Sequence, residues 1–215
     1  AFASCTVLES LPLNEKTTKL GNSAFKGCKA ITSVTVPNSV TSMGTSVFDS
    51  CTGLLSATLG TGISGVPNYT FNGCSNLTTV VLPENITSIG QYAFQNCTSL
   101  TALPLTASIN KIDNYAFKGC TKLTTVEVPD QITSLGTYVF QNGTELTDAK
   151  VGAGITTLPA YLFHGCSKLK NVTLSEKITG IGNYAFYNCI ALETLPVTDA
   201  ITTIGSSVFY GCKGL

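Results

Sequence analysis

"YAFQNCTSLTALPLTASINKIDN", residues 92–114, decides the fold. Its Phe94 belongs to a series that holds every phenylalanine in the chain: Phe2, Phe25, Phe48, Phe71, Phe94, Phe117, Phe140, Phe163, Phe186 and Phe209, spaced by 23 residues. Cysteine stands three residues beyond Phe in every unit but one, where Gly143 replaces it. Leu or Ile stands six beyond, from Leu8 and Ile31 to Leu215. Counting from Phe, further apolar positions recur at +9, +11, +15 and +18. A single unit of this kind cannot bury its own apolar side, so units must stack into a repeat solenoid.

Within the unit, L-x-x-V-x-L (Leu77, Val80 and Leu82) reads as the strand of a leucine-rich repeat. The +9 and +11 side chains face inward and the one between them faces solvent, because side chains alternate along a strand. Gly or Pro after +18 turns the chain, as at Gly44, Pro67, Gly90 and Gly136. The expectation is a single array over residues 1–215 with about nine to ten coils and a parallel sheet on the concave face. It is either a right-handed α/β-type superhelix or a β-rich one. "AFKGCKAITSVTVPNSVTSMG" (24–44) and "LPENITSIG" (82–90), with the "AFQNCTSL" that follows, resemble the BspA-like, or Treponema pallidum-type, leucine-rich repeat. The resemblance extends over essentially the whole chain. It implies a surface or secreted protein of bacteria or parasitic protists that adheres to host matrix and cells.

A longer period overlies the first. "TLGTGISGVPNYTF" (58–71) returns as "KVGAGITTLPAYLF" (150–163), and "LPL" at 11–13 returns at 103–105 and as "LPV" at 195–197, each 92 residues on. Duplication of a four-repeat block accounts for it. The chain starts inside one unit and stops at "FYGCKGL" inside another, without polar caps. Solenoids normally cap their ends, so the expectation is an internal segment of a longer chain with assembly through its ends. No apolar run approaches the ~20 residues of a membrane span, so no direct membrane insertion is expected. No signal-peptide pattern opens the sequence.

Composition narrows the function. Twelve cations balance twelve anions, and every cation is Lys. Nucleic-acid binding calls for a basic patch, usually with Arg, and neither is here. Nine thiols at a 23-residue spacing form a line rather than the convergent tetrahedron zinc needs, so they read as buried core thiols and no metal or cofactor is expected. His164 is the only histidine and falls in a row of polar residues, which predicts a solvated side chain. With no general base beside a nucleophile, no catalytic residue is assigned. "GTGISG" (60–65) lacks the Lys-Ser/Thr of a phosphate loop and reads as a turn. Tyr69, Tyr92, Tyr115, Tyr138, Tyr161 and Tyr184, each two before Phe, read as packing along the convex side with hydroxyls in water.

The exposed rows of the strand face remain as the candidate partner-binding site: Thr35, Thr58, Thr79, Thr125, Glu127, Asp148, Lys150, Lys170 and Thr173. Charge gathers there although the scaffold requires none. Six N-x-S/T sequons begin at Asn68, Asn76, Asn85, Asn96, Asn142 and Asn171, with Asn76 and Asn171 placed on or beside that face. The reading is a non-catalytic binding or adhesion module on a cell surface or secreted, presenting this face to a protein or glycan. The alternative is a structural scaffold within a large assembly, an intracellular one included.

Overall fold

The computed structural model describes residues 2–194 and 196–215; Ala1 and Leu195, which opens the third proline-bearing triplet, lie outside the described residues. Among the described residues the regular elements are short strands. They are β1 (Lys19–Leu20), β2 (Ser33–Thr35), β3 (Ser42–Met43), β4 (Ser56–Thr58), β5 (Gly65–Val66), β6 (Thr79–Val81) and β7 (Ser88–Ile89). There follow β8 (Lys111–Ile112), β9 (Thr125–Val128), β10 (Ser134–Leu135), β11 (Asp148–Val151), β12 (Thr157–Leu158), β13 (Asn171–Leu174), β14 (Gly180–Ile181) and β15 (Thr203–Ile204). The solenoid is therefore of the β-rich kind, and no helix among the described residues is long and apolar enough to cross a membrane. It has about eight regular coils of 23 residues, slightly fewer than the nine to ten that the Phe series counts.

A regular coil offers one strand to a first face at +8 to +11 and one to a second face at +17 and +18. All pairing is parallel, with residue i opposite i+23: Ala57 faces Val80, Ala149 faces Val172, and Ile89 faces Ile112. On the first face Val126 and Val128 are buried while Thr125 and Glu127 are exposed, the alternation the sequence predicts.

The core is a column of rings. Nine consecutive Phe pairs stack at centroid separations between 5.2 and 6.1 Å. Cysteine closes the coil beside it for a specific reason. The Phe94 carbonyl accepts the backbone N–H of Cys97 at 3.2 Å and the thiol of Cys120, one coil on, also at 3.2 Å. The same thiol donation recurs from Cys28 to Cys212. A small apolar group with one weak donor suits this buried position, where alanine would leave the second lone pair of the carbonyl empty. All nine cysteines are free. Where Gly143 stands, the Phe117 carbonyl keeps only the N–H of Cys120, and Phe117 and Phe140 lie 6.1 Å apart, the widest step in the column.

Proline punctuates both faces. The first face is two three-stranded sheets, β2-β4-β6 and β9-β11-β13, and the coil between them carries Pro104 at the centre of its would-be strand. Proline has no N–H for the ladder. Leu103 and Leu105 beside it are only half-buried, whereas the equivalent Val126 and Val128 are 4% and 1% exposed. The second face divides between β3 and β5 and again between β10 and β12. In regular coils the +19 N–H binds the +18 carbonyl of the previous coil, as from Gly90 to Val66 at 2.8 Å. At the two divisions position +19 is Pro67 or Pro159, 92 residues apart.

The turn that carries Phe holds two left-handed positions per coil. One is the residue two before Phe, Tyr in six coils, with φ between 58° and 61°. The other, two after Phe, alternates without exception along the chain: Ser4, Gly27, Ser50, Gly73, Asn96, Gly119, Asn142, Gly165, Asn188, Gly211. A Cβ at Gly119, Gly165 or Gly211 would collide with Oδ1 of the Asn in the preceding coil. Each Asn side chain thus lies in space that the next coil leaves empty.

Candidate partner-binding face

The two sheets of the first face differ in chemistry. β2, β4 and β6 present Ser33, Thr35, Ser56, Thr58, Thr79 and Val81, a neutral array of hydroxyl and aliphatic groups. β9, β11 and β13 present Thr125, Glu127, Asp148, Lys150, Asn171 and Thr173. These line a shallow groove of about 270 Å³.

The charges in the groove answer one another across the coils. Lys150 Nζ donates to Glu127 Oε1 at 2.7 Å, and Asn171 Nδ2 donates to Asp148 Oδ1 at 2.8 Å. The Thr147 hydroxyl, at 2.6 Å, and the Asn171 amide together hold the Asp148 carboxyl below its usual pKa. Glu127 raises that of Lys150 through the hydrogen bond and its charge. Both partners of the Lys150–Glu127 pair are 62% exposed, so the pair contributes little to stability and stays open to an incoming ligand. Lys170 sits just before β13 on the flank of the groove and meets Glu193 at 3.3 Å.

Beside the groove is a notch of about 310 Å³ where Pro104 interrupts the ladder. Leu103, Leu105 and Pro129 form its apolar wall, and it shares Thr125 and Glu127 with the groove. Sequence reasoning flagged the proline triplet but did not read it as a recess, and it assigned Asn171 only as a sequon. The signal was the Pro at a strand centre, repeated at 92 residues.

The remaining candidates fall in varied settings. Thr35, Thr58 and Thr79 belong to the neutral sheet, apart from the charged one. Asn76 lies exposed in the turn ahead of β6 rather than on the face. Asn171 is on the face, with its amide engaged by Asp148. Asn85 Nδ2 donates to the carbonyls of Thr61 and Ile63, both at 2.8 Å, and Asn68 Oδ1 accepts from the Gln91 N–H. Asn96 and Asn142 are exposed in the alternating turn. His164 is not freely solvated as its row suggests: its ring stacks on Tyr187 at 4.9 Å, and burial lowers its pKa. The tyrosines do more than flank the core, since all six stack on one another. Among the described residues no three His, Cys, Asp or Glu side chains converge as a metal site.

A family model described as the BspA type leucine-rich repeat region, in six copies, matches residues 1–117 and 87–215. The chain belongs to the BspA-type leucine-rich repeat family. Among solved structures, this BspA-type array is similar to a leucine-rich repeat protein from Bacteroides ovatus, with a TM-score of 0.81 and 24% identity over 100% of this chain and 67% of that one. The T. pallidum leucine-rich repeat protein gives a TM-score of 0.70 at 23% identity, over 97% of this chain and 91% of that one. A leucine-rich cell surface protein from Faecalibacterium prausnitzii gives 0.53 at 23% identity, over 92% and 81% respectively. At such identities the likeness establishes the fold. No curated protein matches the chain.

Proposed function

We propose that this repeat array is a non-catalytic binding module, displayed on a cell surface or secreted, whose first face takes an extended protein segment. The observation that carries the reading is the joined groove and notch around Thr125 and Glu127, exposed polar groups running into an apolar recess on an otherwise repetitive scaffold. An apolar side chain of the partner enters the notch against Leu103 and Leu105, while its neighbours exchange hydrogen bonds with Glu127, Asp148, Lys150 and Asn171. The cell-surface relative in F. prausnitzii supports the location. Asn76, Asn96 and Asn142 are the sequons that a glycan could occupy without breaking a side-chain hydrogen bond or crowding this face.

The test is a binding screen of the purified chain against arrays of host matrix proteins and of glycans. A protein hit that is weakened at least tenfold by Leu103→Asp or by Lys150→Glu, and unaffected by Thr35→Lys, supports the face. Binding that ignores the first two substitutions places the site elsewhere. Binding only to further copies of the chain returns the scaffold reading, and a hit confined to the glycans replaces the peptide with a saccharide.

A further inference from the structure

The six tyrosines form an unbroken column. Tyr69–Tyr92, Tyr92–Tyr115, Tyr115–Tyr138, Tyr138–Tyr161 and Tyr161–Tyr184 stack at 4.6, 4.6, 4.5, 4.2 and 4.8 Å between centroids, with planes within 16°. These contacts are closer than any in the buried Phe column, whose tightest is 5.2 Å. All six rings are partly exposed. Their backbone is left-handed, a conformation that bulky residues rarely adopt. The coils at either end use Ser23, Ser46 and Ser207 at this position, so the turn itself does not require an aromatic ring. An aromatic residue in a strained conformation, six coils in succession, points to a use beyond filling the turn.

We propose that the tyrosine column is an oxidative cross-linking site, at which phenols of neighbouring coils are joined as dityrosine. The co-reactant is hydrogen peroxide acting through a haem peroxidase. Each of two phenols loses one electron and one proton to give a phenoxyl radical. The two radicals couple through their ortho carbons, and each ortho hydrogen then moves to its phenolic oxygen. The peroxide is reduced to two waters, so the net change is one C–C bond made and two hydrogens lost from the protein. Parallel rings with residue i beside i+23 bring like edges of adjacent phenols together, which the coupling needs. Each bond closes a loop of one coil, as a disulfide would, in a protein whose thiols are unpaired and mostly buried. Seven of the nine thiols are buried, so along the column the partly exposed phenols are the groups an enzyme-borne oxidant meets.

The experiment treats the dilute chain with horseradish peroxidase and hydrogen peroxide and follows dityrosine fluorescence, intact mass, apparent size and linked peptides. The expected product is monomeric, lighter by two hydrogens per bond, linked most often between Tyr138 and Tyr161, and unfolds at a higher temperature than the untreated chain. Tyr138→Phe keeps a stacking ring and should abolish that link while leaving Tyr69–Tyr92 coupling in place. Should Tyr138→Phe fail to fold, the unsubstituted chain in urea serves as control, and its intramolecular yield should drop with the fold. Dityrosine found only in covalent dimers, coupling undiminished in urea, or coupling confined to Tyr187–Tyr210, stacked at 4.9 Å, would each overturn the proposal.

Discussion

At the scale of the residue, cysteine is the clearest case of a side chain chosen for two properties at once. Its burial raises the thiol pKa, to about 12 at Cys51, Cys120 and Cys166 from an ordinary 9.0. Because the unfolded chain ionises first, this stability is full below pH 9 and drains away as pH rises from there toward 12. The melting temperature should therefore hold steady up to about pH 8 and fall steeply above pH 9, a dependence that a thermal series in matched buffers will show. In the native state a thiol reagent should titrate Cys5 and Cys212, the two partly exposed members, and reach the rest only on unfolding. Gly143 is the complementary case. A Cβ there meets Phe140 O at 3.3 Å and Cys166 Sγ at 3.6 Å, contacts the other coils already accommodate. Gly143→Cys should restore the thiol donation to Phe117 and raise unfolding stability by about 1 kcal/mol; a lower denaturation midpoint would count against this account of the 6.1 Å step in the ring column.

Proline acts at the scale of the element, deciding where a strand cannot form. Pro104→Thr supplies an N–H and the residue type found at this position in β2 and β4, so the two sheets of the first face should join. Stability should rise by about 1 kcal/mol while the notch closes, so any partner held by Leu103 and Leu105 binds more weakly. Gain in one measurement with loss in the other is a pattern that simple destabilisation cannot produce. The strands of the first face were legible from sequence because the apolar alternation at +9 and +11 is strict, whereas +18 read only as an apolar position before a turn and not as the second-face strand it forms. The sheet breaks were half legible. The proline triplets were visible at 92-residue spacing, but their effect depends on which N–H the ladder uses, and apolar patterning carries no trace of that. The tyrosine row was legible as side chains packing along one side, but not as a ring-on-ring stack, because residues two before Phe lie at a left-handed turn, where neither strand nor helix periodicity says which way a side chain points. On the first face the gathering of charge was legible, but its self-pairing across coils follows only once residue i is known to lie beside i+23.

Across the whole molecule, long-range charge contributes little. Net charge is zero and the ion pairs are mostly exposed. Lys26 and Asp49 are the exception, with the carboxylate 7% exposed and further bound by Ser50 and Asn72. Added salt should accordingly shift the unfolding midpoint little. The alternation of Asn or Ser with Gly two residues after Phe has a longer reach. Excising residues 117–139 would set Asn142 against Asn96, where the incoming Cβ meets the Asn96 Oδ1 and must displace that side chain, while excising 94–139 would set Asn142 against Gly73 and keep the order. The shorter deletion should therefore destabilise the array more than the longer one, a reversal of what chain length alone predicts. Where Asn stands two residues after Phe, the heritable quantum of this solenoid is then a pair of coils: odd copy numbers are disfavoured at those junctions, and the 92-residue duplication written into the sequence obeys that parity.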